Sequence, residues 1–272
     1  MAINLANPVN WQSPLNRGLV ARFISISDYG GTGLYFRNIA NKKSIGTLTN
    51  SPTWIGKRDQ GNYGCISFTG SSSQSVEMST TDFPTSGDMT FACRIRASAA
   101  GAIISFSNIG TPYTLIDLSV RASYVPRFQL YDGVNNPFVD GTSDLSAVGL
   151  HTVICVRKSL STIKVYVNGV EEGSSADTAS GSLFSGPQLW AIGRRRDDFG
   201  SYATAVGDDF CGWNRALSAD EVKLWHNEVR FGSPTTLNRT SIRPTIFLPA
   251  AASFKSAWAR GSNVILQPGV LT

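Results

Sequence analysis

Along this chain apolar residues recur at every second position over short segments that stop at Gly, Pro, Asn, Asp or Ser, and that period limits the fold more than any other feature. In MTFACRIRA (89–97), Met89, Phe91, Cys93 and Ile95 face one way while Thr90, Ala92, Arg94 and Arg96 face the other, which predicts a half-buried antiparallel strand. The segments GLVARFIS, CISFTG, SVEMS, AIISFSN, TLIDLSV, RFQLYDG, HTVICVRKS, TIKVYVNGVEEGS, LWAIGRR and DDFCGWN are of the same kind. Asn168-Gly169 is the strongest hairpin signal among them, because both residues tolerate positive φ. Strands without intervening helices imply an all-β sandwich or barrel. A charged fraction of only 16%, with 26 glycines, suits many strands and turns rather than long helices.

The period changes once. After the DDFCGWN strand, Ser218 and Glu221 form an S-x-x-E capping box, and Leu217 with Val222 supplies the flanking hydrophobic staple. Val222, Trp225 and Val229 then recur at helical spacing until Gly232 and Pro234, so a short amphipathic helix is expected over 219–228.

With 272 residues and 42% apolar content the chain can bury one large core, and residues 18–232 are expected to form a single domain. Residues 1–17 and 233–272 are Pro-bearing and without clear period, and read as extended arms. No apolar run reaches the length of a membrane span, and the N-terminus lacks the basic start and apolar centre of a secretory signal. Cys65, Cys93, Cys155 and Cys211 sit singly in strand-like segments, as buried reduced thiols do.

The formal charge of +5 is carried by the ends: residues 28–230 hold 18 basic against 19 acidic groups, while 1–27 and 231–272 hold no acid. A nucleic-acid binder would carry its basic face on the folded part, so direct nucleic-acid binding is not expected. The C-terminal arm combines Arg239, Arg243, Lys255 and Arg260 with Phe247, Phe254 and Trp258, a mixture suited to docking on another chain, either a different protein or a further copy, with charges that merely solubilise the ends as the alternative.

KVYVNGVEEGS, LWAIGRR and GDDFCGWNRALSADEV resemble, in this order, the C-terminal half of laminin-G-like domains of the concanavalin A-like jelly-roll superfamily. GLVARF, SIGTLTNSPTW and GCISFTGSSSQSVEM are similar to its N-terminal half, so the resemblance covers roughly 18–230 and is most specific at 214–218. It implies an antiparallel jelly-roll β-sandwich whose C-terminal helix closes one edge. The layout of NWQSPLNRGLVARF before the domain and SFKSAWARGSN after it also resembles proteins of tailed phages.

Relatives in that superfamily include glucanases, whose retaining mechanism needs two carboxylates about 5–5.5 Å apart, normally delivered by E-x-D-x-x-E on one strand. That motif is missing here, as is G-x-S-x-G, and a non-enzyme is expected. The resemblance places at Asp208 an acidic residue that in many relatives helps hold calcium, with Asp209 and Asn38 as further oxygen donors. Arg37, Lys42 and Lys43 depart from the family's acidic early loop, so calcium and a plain hydrogen-bonded carboxylate both stand as readings of Asp208. For a glycan, the loop-borne aromatics Tyr63, Tyr113 and Tyr202 are the candidates. GRRRDDFGSY (193–202) reads as a self-neutralising solvated loop, with an anion contact as the alternative.

The expected function is a non-enzymatic structural or decoration protein on the capsid or tail surface of a phage virion. It would be made in the host cytoplasm, contact other virion proteins and copies of itself, and bind host-surface or environmental glycans through its laminin-G-like domain. A free carbohydrate-binding lectin and a degenerate glycoside hydrolase are the alternatives.

Overall fold

Alternation along the strands sorts this chain's apolar side chains into two cores. The computed structural model describes residues 13–23, 35–38, 40, 45–55, 65–78, 84, 86–108, 114–180, 183, 189–195 and 201–230. The strands among them are β1 (Leu19–Phe23), β2 (Tyr35–Arg37), β3 (Ile45–Thr49), β4 (Thr53–Ile55), β5 (Cys65–Phe68), β6 (Ser75–Met78), β7 (Met89–Ala97) and β8 (Gly101–Asn108). They continue as β9 (Thr114–Val120), β10 (Pro126–Tyr131), β11 (Phe138–Asp140), β12 (His151–Lys158), β13 (Thr162–Val167), β14 (Val170–Ala176), β15 (Leu189–Ile192) and β16 (Ala205–Trp213), followed by α1 (Ala219–Arg230). The first sheet runs β14-β13-β12-β7-β16-β5-β4, with β1 also on β16, and the second runs β11-β10-β9-β8-β15-β6-β3-β2. The pairings between these strands are antiparallel, so the fold is the expected jelly-roll sandwich.

Between the sheets, alternate residues interdigitate around an aromatic centre. Phe106 and Trp190 of the second sheet stack with centroids 4.6 Å apart, and Phe91 of the first meets Phe106 at 5.4 Å. The second core lies on the outer face of the first sheet, where Ala92, Ile154, Tyr166, Cys211 and Trp213 are covered by Leu15, Leu217, Val222 and Trp225. Trp225 sets its ring edge-on to Trp213 at 6.4 Å, and the Trp213 indole N–H donates to the Leu15 carbonyl at 2.6 Å.

Three expectations are corrected by this second core. The helix does not close an edge; it lies across the face of the first sheet. For the same reason β7 is not half-buried: apart from Arg96, each of its residues is buried. Residues 13–17, read from sequence as part of an arm, belong to the folded unit, since Leu15 is fully buried and Arg215 donates to the carbonyls of Arg17 and Pro14.

The local signals operate as read. Asn168 and Gly169 both have positive φ, 51° and 80°, and form the β13–β14 hairpin turn. Ser218 N–H donates to the Glu221 carboxylate at 2.9 Å and Glu221 N–H to Ser218 Oγ at 3.3 Å, the reciprocal capping box. Arg215 also donates to the Glu221 carboxylate at 2.8 Å; that hydrogen bond holds the Glu221 carboxyl below the usual range. All four cysteines are free and buried, and burial pushes the Cys65 thiol up to about 11.

Because α1 packs its apolar stripe on the Ala92–Trp213 part of the first sheet's outer face, its cap and its central indole should contribute unequally. Ser218→Ala is expected to cost about 1 kcal/mol and Trp225→Ala about 3–5 kcal/mol, read as shifts in denaturant midpoint. Midpoints unchanged in both variants would contradict the packing of α1.

Candidate functional site

The outer face of the second sheet carries the polar residues that the aromatic core leaves over. Val76 and Met78, Ile104 and Phe106, Ile116 and Leu118, Phe128 and Leu130, and Trp190 and Ile192 point into the core. Alternation therefore turns Glu77, Ser105, Asp117, Gln129 and Ala191 outward. Strand register aligns them in one row, Gln129 opposite Asp117, Asp117 opposite Ser105, Ser105 opposite Ala191 and Ala191 opposite Glu77. Ser105 and Asp117, in the middle of the row, are buried.

At the Glu77 end of the row the chain builds a half-exposed cluster of three groups. Arg194 donates from Nη1 to the Tyr202 hydroxyl at 3.1 Å, and its Nη2 lies 3.1 Å from Glu77 Oε1. The guanidinium carbon is 5.9 Å from the centroid of the Tyr202 ring. Backbone pairing fixes this arrangement: Ala203 N–H donates to Gly193 C=O at 2.9 Å, Arg195 N–H to Ser201 C=O at 2.8 Å, and Tyr202 bridges both Ala102 and Arg194. Gly193 makes the turn possible. Its φ is +88°, and a Cβ there would lie 2.7 Å from the Phe68 ring.

Of the aromatics chosen from the sequence, Tyr202 is in this cluster, while Tyr63 and Tyr113 lie outside the described residues. So do the arm residues Arg239, Arg243, Phe247, Phe254, Lys255, Trp258 and Arg260. Glu77 and Arg194 are not among the site residues chosen from the sequence. Glu77 was legible as the outward residue between Val76 and Met78, whereas Arg194 stood in a loop that could have neutralised itself; the fold instead sends its guanidinium across to Glu77.

The residues weighed as calcium ligands are divided between two arginines. Asp209 accepts a two-point contact from Arg22, Nε to Oδ1 at 2.8 Å and Nη2 to Oδ2 at 2.7 Å. Asn38 Oδ1 accepts the Arg22 and Ala40 backbone N–H groups at 2.9 and 3.0 Å, and its Nδ2 donates to the Val20 carbonyl at 3.2 Å. Asp208 accepts the Asp209 N–H at 2.7 Å and lies 4.0 Å from Arg94 Nη1. Burial alone would push the Arg22 guanidinium down; the adjoining Asp209 carboxylate more than offsets this and holds it protonated. Among the described residues no three His, Cys, Asp or Glu side chains gather as a metal-ligand group. With Asp209 bonded to a guanidinium and Asn38 Oδ1 taken by two backbone N–H groups, this donor set does not fit a calcium ion.

Carboxylate spacing bears on hydrolysis. Asp117 and Glu77 stand three strands apart, on the order of 14 Å at about 4.8 Å per strand. That backbone separation is far wider than the neighbouring positions from which a retaining pair about 5–5.5 Å apart is delivered. Among the described residues no helix is long and apolar enough to cross a membrane.

Comparison with known proteins adds the following. Residues 69–223, more than half of the chain, match the laminin-G family model described as the concanavalin A-like lectin/glucanases superfamily. No curated protein sequence matches. Among solved structures, the binding domain of Paraclostridial Mosquitocidal Protein 1 aligns with a TM-score of 0.63 at 13% identity, covering 79% of this chain and 53% of that one. The binding domain of botulinum neurotoxin DC in complex with SialylT aligns at 0.61 and 8%, covering 80% and 53%. Domain 4 of the AbnA extracellular arabinanase from Geobacillus stearothermophilus, in complex with arabinotriose, aligns at 0.58 and 15%, covering 75% and 96%. The chain thus spans about half the length of the two toxin binding domains and nearly all of the arabinanase domain.

Gly193→Ala tests how the cluster is positioned. The substitution is expected to cost about 1–3 kcal/mol, read as a lower melting temperature, because the left-handed backbone and the Phe68 contact both resist a Cβ. An unchanged melt would contradict the reading that the left-handed turn and the Phe68 contact require glycine at 193.

Proposed function

The chain belongs to the concanavalin A-like lectin/glucanases superfamily, and from that premise we propose that it is a non-enzymatic, lectin-like carbohydrate-binding protein whose contact surface is the Tyr202 corner of the second sheet. The observation that carries this reading is the partly exposed Tyr202 ring held by Arg194, whose guanidinium also pairs with Glu77. A pyranose or furanose ring presents a C–H face that an aromatic ring can cover. Its neighbouring hydroxyls match the planar, two-point hydrogen bonding of a guanidinium or carboxylate. The wide separation of Asp117 from Glu77 supports binding without hydrolysis. The solved complexes of the arabinanase domain with arabinotriose and of the neurotoxin domain with SialylT support the ligand class by analogy of fold.

Binding to an oligosaccharide array followed by titration of the best ligand tests the proposal. Tyr202→Ala is expected to weaken that ligand at least about tenfold, roughly 1.4 kcal/mol, with the melting temperature retained. Equal affinity in the variant, or binding to no oligosaccharide, would overturn it.

A second reading is favoured by the composition of the C-terminal segment, in which residues 231–272 carry Arg239, Arg243, Lys255 and Arg260 and no acid. We propose that this segment attaches the lectin-like domain to a phage virion, on its capsid or tail surface. Deleting residues 233–272 is expected to leave a cooperatively melting sandwich and to abolish co-purification with particles. Normal incorporation of the truncated protein would remove this reading while leaving glycan binding intact.

A further inference from the structure

We infer that the guanidinium of Arg22 is the resident cation of this fold, taking by ion pairing the position from which Asn38 and Asp209 could otherwise have helped hold a divalent metal. This inference does not depend on the glycan reading. Arg22 and Asp209 are buried together, with side chains 3% and 7% exposed, so water contributes little to neutralising either. Asp209 is a non-glycine residue at φ +51°, set in a bulge of β16 between Asp208 and Cys211. A left-handed aspartate within a central strand persists only where its surroundings hold it there, and here the bulge aims the carboxylate at Arg22.

The same arginine is fixed at both ends. Its backbone N–H donates to Asn38 Oδ1 while its guanidinium engages both Asp209 oxygens, so β1, β16 and Asn38 are joined through one residue.

A divalent calcium requires six to eight oxygen ligands at about 2.3–2.6 Å. The oxygen of Asn38 already accepts two backbone N–H groups, which uses both of its lone pairs. Asp209 Oδ1 accepts from Arg22 Nε and from the Cys211 thiol at 3.3 Å, and Oδ2 from Arg22 Nη2. A dication placed on that carboxylate would stand against a fixed guanidinium in dry surroundings, where like charges repel most strongly. The positive charge a metal would bring is supplied covalently, by the chain.

Two measurements decide this. The full-length protein is analysed for bound metal as purified, and its melting temperature is followed in chelator, in calcium and in magnesium. The expected result is no stoichiometric metal and the same melting temperature throughout. Stoichiometric calcium, or a melting temperature that falls in chelator and recovers with calcium, overturns the inference. In parallel, Arg22→Met, Asp209→Asn and the double variant are compared. If the guanidinium serves to neutralise Asp209, the double variant melts above Arg22→Met, because the stranded buried carboxylate has been removed. Strictly additive losses would overturn the inference, and should Arg22→Met fail to fold, the metal analysis and chelator melts of the unmodified protein still decide it.

Discussion

Burial of the central strands β7 and β16 on both faces is the constraint on which the rest of the molecule depends. A jelly roll needs one core between its sheets, and this chain builds a second outside the first sheet. Large apolar side chains can therefore occupy successive positions of β16, with Phe210 facing inward and Cys211 and Trp213 outward. Polar atoms caught beneath the second core need partners of their own. The Thr90 hydroxyl meets this need by donating to the Arg215 carbonyl at 2.8 Å and accepting the Leu217 N–H at 3.0 Å. That hydroxyl ties the strand to the segment that begins the helix, so the cover and the sheet it covers are fixed to each other.

The bulge of β16 is the point at which the alternation, though not the burial, is interrupted. An extra residue lets one carboxylate leave the alternation and reach Arg22 on the neighbouring strand, at the cost of a left-handed backbone. Replacing such a pair by apolar residues could leave stability unchanged or raise it. What the pair adds is geometric: a two-point contact that is satisfied in one register of β1 on β16.

Much of this was legible in the sequence because the signals were local. The capping box at Ser218 and Glu221, the Asn168-Gly169 turn and the alternation in most strands depend on a few adjacent residues, and each formed as read. The short strands β4 and β11 were not separately read, since three residues cannot show a period. Tertiary packing hid the rest. Ala92 and Thr90 look like the solvent side of a strand until α1 and residues 13–17 cover them. Asp209 and Asn38 look like oxygen donors for a metal until the fold brings Arg22, 187 positions from Asp209 in sequence, onto that carboxylate. Tyr202 could be proposed from its residue type and loop position. Its partner Arg194 could not, because the place of that guanidinium depends on the chain returning to pair Arg195 with Ser201 and on β6 lying beside β15.

The interlocking of Leu15 with Trp213 has a consequence for orientation. The turn at Pro14–Asn16, the strand β1 and the helix α1 all lie with the first sheet, so Leu15 and Trp225, from near the two ends of the described chain, share one cluster on one side of the sandwich. The polar row and the Tyr202 corner lie on the outer face of the other sheet. The two outer faces therefore differ in kind: one is covered by the chain's own apolar residues from Leu15 to Trp225, and the other carries the polar row.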